Sequence, residues 1–201
     1  MIPSAVVFDV GNVLVEWNRD RLYVELIPEA QKRADFFNEV LTMQVNLALD
    51  AGVPFGALLG ELADMHPRWR SEILAFNSRW GDTLGPQDDA MVTLVGDLKS
   101  AGVPVYALTN FAAEKWPVAL ERHPWLDGLD GAVISGHERV TKPDPKIYDV
   151  LVERYELDRA STWFTDDAVI NVEGARAAGW QAELFVDAAT TRHILSSLGV
   201  L

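Results

Sequence analysis

From Pro86 to the C-terminus, short apolar segments alternate with amphipathic ones, and this alternation constrains the fold more than any other feature of the sequence. The spacing predicts strands near 103–108, 132–134, 162–165 and 182–186, with helices between them. Strands that alternate with helices form βα units, in which the strands pair in parallel. The sequence therefore predicts an α/β fold built on a mainly parallel sheet.

The N-terminal segment adds one more buried strand. Residues 5–8 are apolar, and the run ends abruptly at Asp9, before a Gly11-Asn12 turn signal. The carboxyl ends of the strands are where open α/β sheets bind ligands. A carboxylate at this point is a nucleophile, a metal ligand or the cap of its own turn.

Residues 16–85 have a different character, with helical periodicity and no convincing strand. Breaks at Pro28, 52–54, Pro67 and Gly81 divide this segment into about four helices. We expect two domains: a core of residues 1–15 and 86–201, and a helical cap of residues 16–85. The cap would stand over the strand end that carries Asp9.

Polar residues follow several of the predicted strands, at positions that a parallel sheet brings to one edge. They are Asp9, Thr109, Asn110, Lys142, Asp166, Asp167 and Asn171. Three clustered carboxylates need cations beside them or must take up protons. Lys142 supplies one positive charge, and Mg²⁺, which binds one or two carboxylates together with substrate phosphate, would supply the rest. This set suits transfer of a phosphoryl group from a monoester to a carboxylate.

The ordered set resembles the haloacid dehalogenase-like (HAD) hydrolase superfamily, over nearly the whole chain. The four stretches that carry the resemblance are 8–14, 108–110, 142–148 and 164–175. Their form is most similar to the branch of the α-D-glucose-1-phosphate phosphatases. The resemblance implies a Rossmann-like parallel sheet with helices on both faces, plus a small all-helical cap inserted after the first strand.

The resemblance also implies roles for the acidic residues. Asp9 would be the nucleophile and form a transient aspartyl-phosphate. Asp9 and Asp167 would bind Mg²⁺ directly, together with the backbone carbonyl of Gly11. Asp166 would hold the metal through water. The expected activity is that of a Mg²⁺-dependent phosphatase acting on a small phosphorylated metabolite.

The remaining site residues would bind the substrate. Thr109 and Asn110 would hold the transferring phosphoryl group, and Lys142 would neutralise charge shared with the nucleophile. Candidates for contacts to the rest of the substrate are Trp17, His66 and Arg68. Each of these residues also has a structural interpretation, as a cap, a solvated lysine, a helix-start surface or a core tryptophan.

Gly11 departs from the pattern of the superfamily. Many of its phosphatases carry an Asp at this position as general acid, and such help is typically worth ~10²–10⁴-fold in rate. Glu16, His66 and His137 are candidate replacements. Without this acid, a leaving group that depends little on protonation is favoured, such as a sugar that leaves from its anomeric carbon. The substrate is therefore expected to be a sugar phosphate. The alternatives are a metal-independent 2-haloacid dehalogenase, disfavoured by Asp166-Asp167, and a catalytically weak phospho-ligand-binding relative.

The composition of the chain limits which classes of binding partner are expected. The net charge of −13 argues against nucleic-acid or anionic-membrane partners, since no basic stripe neutralises phosphates. The chain has no cysteine, so disulfides and thiolate metal sites are excluded. It also lacks a leader pattern and any apolar run near the length of a membrane span. We expect a cytoplasmic monomer or homodimer that acts on a small phosphorylated substrate.

Overall fold

A computed structural model describes all 201 residues and contains one five-stranded parallel sheet and one antiparallel ribbon. The strands are Ala5–Phe8 (β1), Val15–Trp17 (β2), Leu84–Gln87 (β3), Val105–Thr109 (β4), Gly131–Ile134 (β5), Thr162–Asp166 (β6) and Gln181–Leu184 (β7). The sheet has the order β5-β4-β1-β6-β7, with every neighbouring pair parallel. The predicted α/β architecture is confirmed.

The structure contains eleven α-helices. Between β2 and β3 lie Asp20–Leu26 (α1), Ala30–Glu39 (α2), Met43–Asp50 (α3), Phe55–Met65 (α4) and Arg70–Ser78 (α5). The others are Asp89–Ser100 (α6), Trp116–Arg122 (α7), Ser135–Glu138 (α8), Pro145–Tyr155 (α9), Val169–Ala177 (α10) and Ala188–Ser197 (α11). None of these helices combines the length and the hydrophobicity needed to cross a membrane.

The central strand β1 is buried on both faces of the sheet. Val6 and Phe8 belong to the larger hydrophobic cluster on one side, and Ala5 and Val7 to the smaller cluster on the other. Helices cover both faces, so the strand sequence is continuously apolar rather than alternating. The larger cluster continues into the helical insertion, where it includes Phe55.

The helical insertion differs from the expectation in two respects. Its ends form the β2–β3 ribbon, in which Val15 lies opposite Gln87 and Trp17 opposite Leu84. The expected boundaries at 15/16 and 85/86 therefore fall inside paired strands, which are too short to show a periodicity. The insertion also holds five helices instead of about four, since a new helix starts after Thr42, whose hydroxyl accepts a hydrogen bond from the Val45 N–H.

The C-terminal end of α3 is fixed against the sheet domain. Gly52 follows this helix with φ +91°, a conformation that favours glycine. A Cβ atom there would stand 2.7 Å from the carbonyl oxygen of Gly136, on α8. The Ser135 hydroxyl, also on α8, donates a 2.6 Å hydrogen bond to the backbone carbonyl of Asp50. This contact sets the position of α3 over the sheet edge.

We predict that Gly52→Ala lowers the free energy of unfolding by more than about 1 kcal/mol, since the new Cβ is strained and meets backbone. Gly60→Ala is the matched control: Gly60 lies inside α4 with no atom within 4 Å of the new Cβ, and its helix propensity favours alanine by about 0.5–1 kcal/mol. Urea denaturation measures both variants. Equal stabilities of the two would contradict the close packing at Gly52.

Candidate active site

The register of the sheet brings three strand ends together. Phe8 pairs with Ala107 on β4 and with Thr165 on β6, so the next residue, Asp9, lies between the ends of these two strands. The Asp9 N–H donates a 3.0 Å hydrogen bond to the Thr165 carbonyl, which continues the ladder by one residue. The side chain of Asp9 thus emerges at the carboxyl edge of the sheet.

Three carboxylates converge at this edge. One oxygen from each of Asp9, Asp166 and Asp167 lies within 4.8 Å of the others. Lys142 Nζ, fully buried, is 2.9 Å from Asp9 Oδ1 and 2.5 Å from Asp166 Oδ2, and it also donates to the Leu108 carbonyl at 2.8 Å. The lysine therefore links two acids that would otherwise repel each other.

The charges of the cluster shift one another's pKa values. Burial raises the pKa of Asp9 to about 6, against the opposing effect of Lys142. Burial also raises the pKa of Asp167, with a further contribution from Asp166. Burial alone would lower the pKa of Lys142, but Asp9 and Asp166 outweigh it and the pKa is raised. Lys142 is thus a stable cation among three acids, and the cluster can accept further positive charge.

The three carboxylates differ in their free oxygen atoms. Both oxygens of Asp166 are engaged, by Lys142, by the Asn171 amide and by the Ala168 N–H. Asp9 uses Oδ1 for Lys142 and for the Val10 N–H, which leaves Oδ2 available. Asp167 is exposed and receives one long bond of 3.4 Å, from Asn12. These all-oxygen donors fit a hard divalent cation such as Mg²⁺.

The loop after β4 holds the lysine in place. The Asn110 side-chain amide donates to the Lys142 carbonyl at 3.0 Å, and the Asn110 Oδ1 accepts from the Lys142 N–H at 2.7 Å. The side chain of Asn110 thus positions Lys142. Thr109 is only 1% exposed, at the end of β4, yet it lines the cavity described next.

A cavity of about 220 Å³ lies over the cluster. It is lined by Asp9, Gly11, Thr109, Asn110 and Asp167, by aromatic and aliphatic side chains, and by one face of α3. Ten of its twenty lining residues are hydrophobic and none is a lysine or an arginine, while the ammonium of the buried Lys142 lies 2.9 Å from the lining residue Asp9. The cavity joins a polar floor to a largely apolar wall.

Of the three residues expected to contact the substrate from the insertion, one lines the cavity and two do not. Trp17 lines the cavity. His66 and Arg68 do not, and Arg68 lies 3.8 Å from Glu39 at a separate surface groove. Arg68 lies in the short turn of Pro67–Trp69 that precedes α5, and its guanidinium is directed to Glu39 and not to the cavity.

The candidate replacements for the missing general acid also lie elsewhere. Glu16 is exposed and pairs with Arg21 at 3.6 Å, and His137 is exposed on α8. Neither lines the cavity. Four of the cavity residues that sequence reasoning missed share one face of α3, at the helical spacing i, i+3, i+4, i+7: they are Met43, Asn46, Leu47 and Asp50.

Comparison with known proteins identifies this architecture. The sequence model of a haloacid dehalogenase-like hydrolase family matches residues 3–179. The chain belongs to this family. It is a hydrolase, and two curated proteins that are similar to it over most of their lengths are phosphatases, which confirms the superfamily assignment; the glucose-1-phosphate phosphatase branch stays a prediction.

Two relatives and one solved structure illustrate the match. A sesquiterpene phosphatase, astK, from Aspergillus oryzae is 29% identical over 177 residues, 88% of this chain and 86% of its own. The phosphatase MT3486 from Mycobacterium tuberculosis is 29% identical, over 100% of this chain and 97% of its own. The magnesium complex of the HAD family enzyme bt-2542 from Bacteroides thetaiotaomicron superposes with a TM-score of 0.75 at 18% identity, covering 96% of this chain and 98% of that one. This structure supports the fold of the present chain.

We predict that Lys142→Met lowers the free energy of unfolding by about 3–5 kcal/mol at neutral pH without metal, since it leaves Asp9 and Asp166 buried without their cation. Burial keeps the folded-state pKa of Asp9 above its ordinary value, so the native state gains protons on acidification. The loss of unfolding free energy in Lys142→Met is therefore expected to become smaller as the pH falls. Urea denaturation at several pH values measures this change. Lys146→Met, at an exposed lysine without an ion pair, is the control; a loss of similar size in both variants would contradict the role of Lys142 as the buried counter-ion.

Proposed function

We propose that this hydrolase is a Mg²⁺-dependent phosphatase that cleaves the phosphate monoester of a small, largely apolar alcohol through an aspartyl-phosphate on Asp9. The observation that carries the proposal is the state of the Asp9 carboxylate. Lys142 and the Val10 N–H hold Oδ1, while Oδ2 is free at the floor of the cavity. A carboxylate held at one oxygen and open at the other is oriented for attack on phosphorus.

In this mechanism Asp9 Oδ2 forms a bond to phosphorus as the bond to the alcohol oxygen breaks. Lys142 keeps Asp9 ionised and offsets the charge that the phosphoryl oxygens bring to the cluster. The Thr109 hydroxyl and the backbone amide of Asn110 contact the phosphoryl oxygens from the end of β4. Water then hydrolyses the aspartyl-phosphate and restores Asp9.

The metal would be held by Asp9, Asp167 and the backbone carbonyl of Gly11, all of which line the cavity floor. Asp166, whose oxygens are engaged within the chain, would act through bound water and through Lys142. When bound, Mg²⁺ supplies positive charge that stabilises the transferring phosphoryl group.

The chemistry in this proposal belongs to the core of residues 1–15 and 86–201, and the cap of residues 16–85 contributes selectivity. Two cap side chains, Met43 and Leu47, are 53% and 49% exposed and line the cavity. The buried rings of Trp80 and Phe111, with centroids 5.1 Å apart, add to the apolar wall.

This lining favours an apolar leaving group over the sugar that the resemblance suggested. The hydroxyl groups of a sugar lose hydrogen bonds to water in such a cavity unless the protein replaces them. An aliphatic or terpenoid alcohol gains from the same surface. The name of the Aspergillus relative, a sesquiterpene phosphatase, points to the same substrate class.

The decisive experiment measures phosphate release from a panel of alkyl, isoprenoid and sugar monophosphates, with Mg²⁺ and with EDTA. We expect Mg²⁺-dependent turnover, with Asp9→Asn reducing kcat by roughly 10⁴-fold or more since the nucleophile is lost. Asp64→Asn, at an exposed acid paired with Arg70, is the control and keeps full activity.

Other outcomes distinguish the alternatives. Halide release from 2-chloropropionate without metal, abolished by Asp9→Asn, would identify a dehalogenase instead. Thermal stabilisation by inorganic phosphate without any turnover would identify a binding protein.

The apolar wall generates a selectivity prediction. We expect Leu47→Asn to raise KM for a geranyl-type monophosphate by about 10-fold, since a hydrophobic contact is removed, and to leave KM for methyl phosphate unchanged. Leu74→Asn alters an apolar cap residue of similar exposure outside the cavity and serves as control. A KM for the long substrate that does not change would show that its chain binds elsewhere.

A further inference from the structure

Asp50 is an acidic side chain in the cavity that the mechanism so far does not use. It is the last residue of α3 and lines the cavity together with Asp9, on the side of the cap. The Asn46 side-chain amide donates a 2.8 Å hydrogen bond to Asp50 Oδ2. Oδ1 has no such side-chain donor.

The backbone of Asp50 is firmly positioned. Its carbonyl accepts the 2.6 Å hydrogen bond from the Ser135 hydroxyl, and Ser135 in turn accepts a 2.8 Å bond from the Phe111 N–H. Phe111 directly follows Asn110, so the end of α3 is connected to the loop that carries the phosphoryl-binding residues. The close packing of Gly52 on Gly136 adds to this connection.

The surroundings of Asp50 disfavour its charged form. Burial, followed by the charge of Asp9, raises the pKa of Asp50 to about 8, while the Ala112 N–H and Lys142 oppose the rise. The negative end of the α3 dipole lies at the same point and also disfavours an anion. Asp50 forms no ion pair, although the adjoining α8 carries charged or titratable groups at His137 and Glu138, followed by Arg139.

We propose that Asp50 is the general acid of this enzyme and protonates the oxygen of the leaving alcohol, in place of the acid missing at Gly11. The inference rests on the proposed phosphatase function and deepens it. The space in front of Gly11 is open, because an added Cβ there would meet nothing closer than Trp17 Cβ at 4.0 Å. Gly11 and Asp50 line the same cavity, so in this proposal the leaving group occupies that space and receives its proton from the side of the cap.

The proton transfers balance over the cycle. As Asp9 Oδ2 bonds to phosphorus, the phosphorus–oxygen bond of the ester breaks, and the Asp50 proton passes to the alkoxide oxygen to give the alcohol. Asp50 is then a carboxylate. It takes a proton from the water that attacks the aspartyl-phosphate, so that hydrogen phosphate leaves and both Asp9 and protonated Asp50 are restored.

Other titratable groups are less suited to this task. His123 also lines the cavity, but burial lowers its pKa and so disfavours the protonated imidazolium that a general acid requires. Glu16, His66 and His137 do not line the cavity at all. Asp50 is therefore the acid in the cavity that is neither bound to Lys142 nor part of the candidate metal cluster.

The test compares leaving groups. For Asp50→Asn, kcat/KM with butyl phosphate is expected to fall by ~10²–10⁴-fold, whereas kcat/KM with p-nitrophenyl phosphate, whose leaving group needs no proton, changes by less than about fivefold. The alkaline limb of the wild-type pH profile of kcat/KM for butyl phosphate is expected to disappear in the variant, since that limb reports loss of the Asp50 proton. With p-nitrophenyl phosphate, Asp50→Asn should show a burst of nitrophenol, because hydrolysis of the aspartyl-phosphate loses its base.

Rescue and controls separate this role from a structural one. Gly11→Asp added to Asp50→Asn returns an acid to the position used by other phosphatases, and it should restore at least part of the butyl phosphate activity. Asp64→Asn controls for the loss of a cap charge, and thermal unfolding verifies that each variant folds. An equal fall in kcat/KM for both substrates, or an alkaline limb that persists in Asp50→Asn, would overturn the assignment. Failure of the phosphatase function itself would instead appear as no Mg²⁺-dependent turnover by the wild type.

Discussion

The buried contact of Lys142 with Asp9 and Asp166 is the interaction on which the rest of the site depends. Two charged carboxylates cannot share a dehydrated sheet edge without a cation, and desolvation of the three groups is itself costly. Several further interactions hold this arrangement, including the reciprocal hydrogen bonds between Asn110 and the Lys142 backbone. Burial of these charged groups therefore costs free energy, and the apolar packing of the sheet below the site offsets that cost.

The position of this contact follows from the sheet. Strand β1 is central and apolar on both faces, so its first polar residue, Asp9, can appear only where the strand ends. The neighbouring strands β4 and β6 end at the same level, at Thr109 and Asp166. This is why the core and the positions of Asp9, Thr109 and Asp166 in the candidate site could be predicted from the sequence: each of these three residues is tied to the end of a strand that the apolar pattern reveals.

The helical insertion could be predicted only in outline. Its helical character is visible in the periodicity, but the direction of each helix face depends on packing that no local pattern contains. Sequence alone makes Arg68 a candidate for contacts to the substrate, whereas in the structure Met43 and Asp50 line the cavity and Arg68 does not. The β2–β3 ribbon could not be predicted for a simpler reason. A three-residue strand such as β2 is too short to show an alternation of apolar and polar residues.

The β2–β3 ribbon has a consequence for how such chains diversify. The polypeptide leaves the sheet domain at Val15 and returns at Gln87, directly opposite. A segment whose two ends are adjacent can be replaced by another of any length without altering the connectivity of the strands around it. The sheet domain and the helical insertion are thus separable modules, and exchange of the insertion would alter the cavity wall while Asp9 and Lys142 remain where the sheet places them.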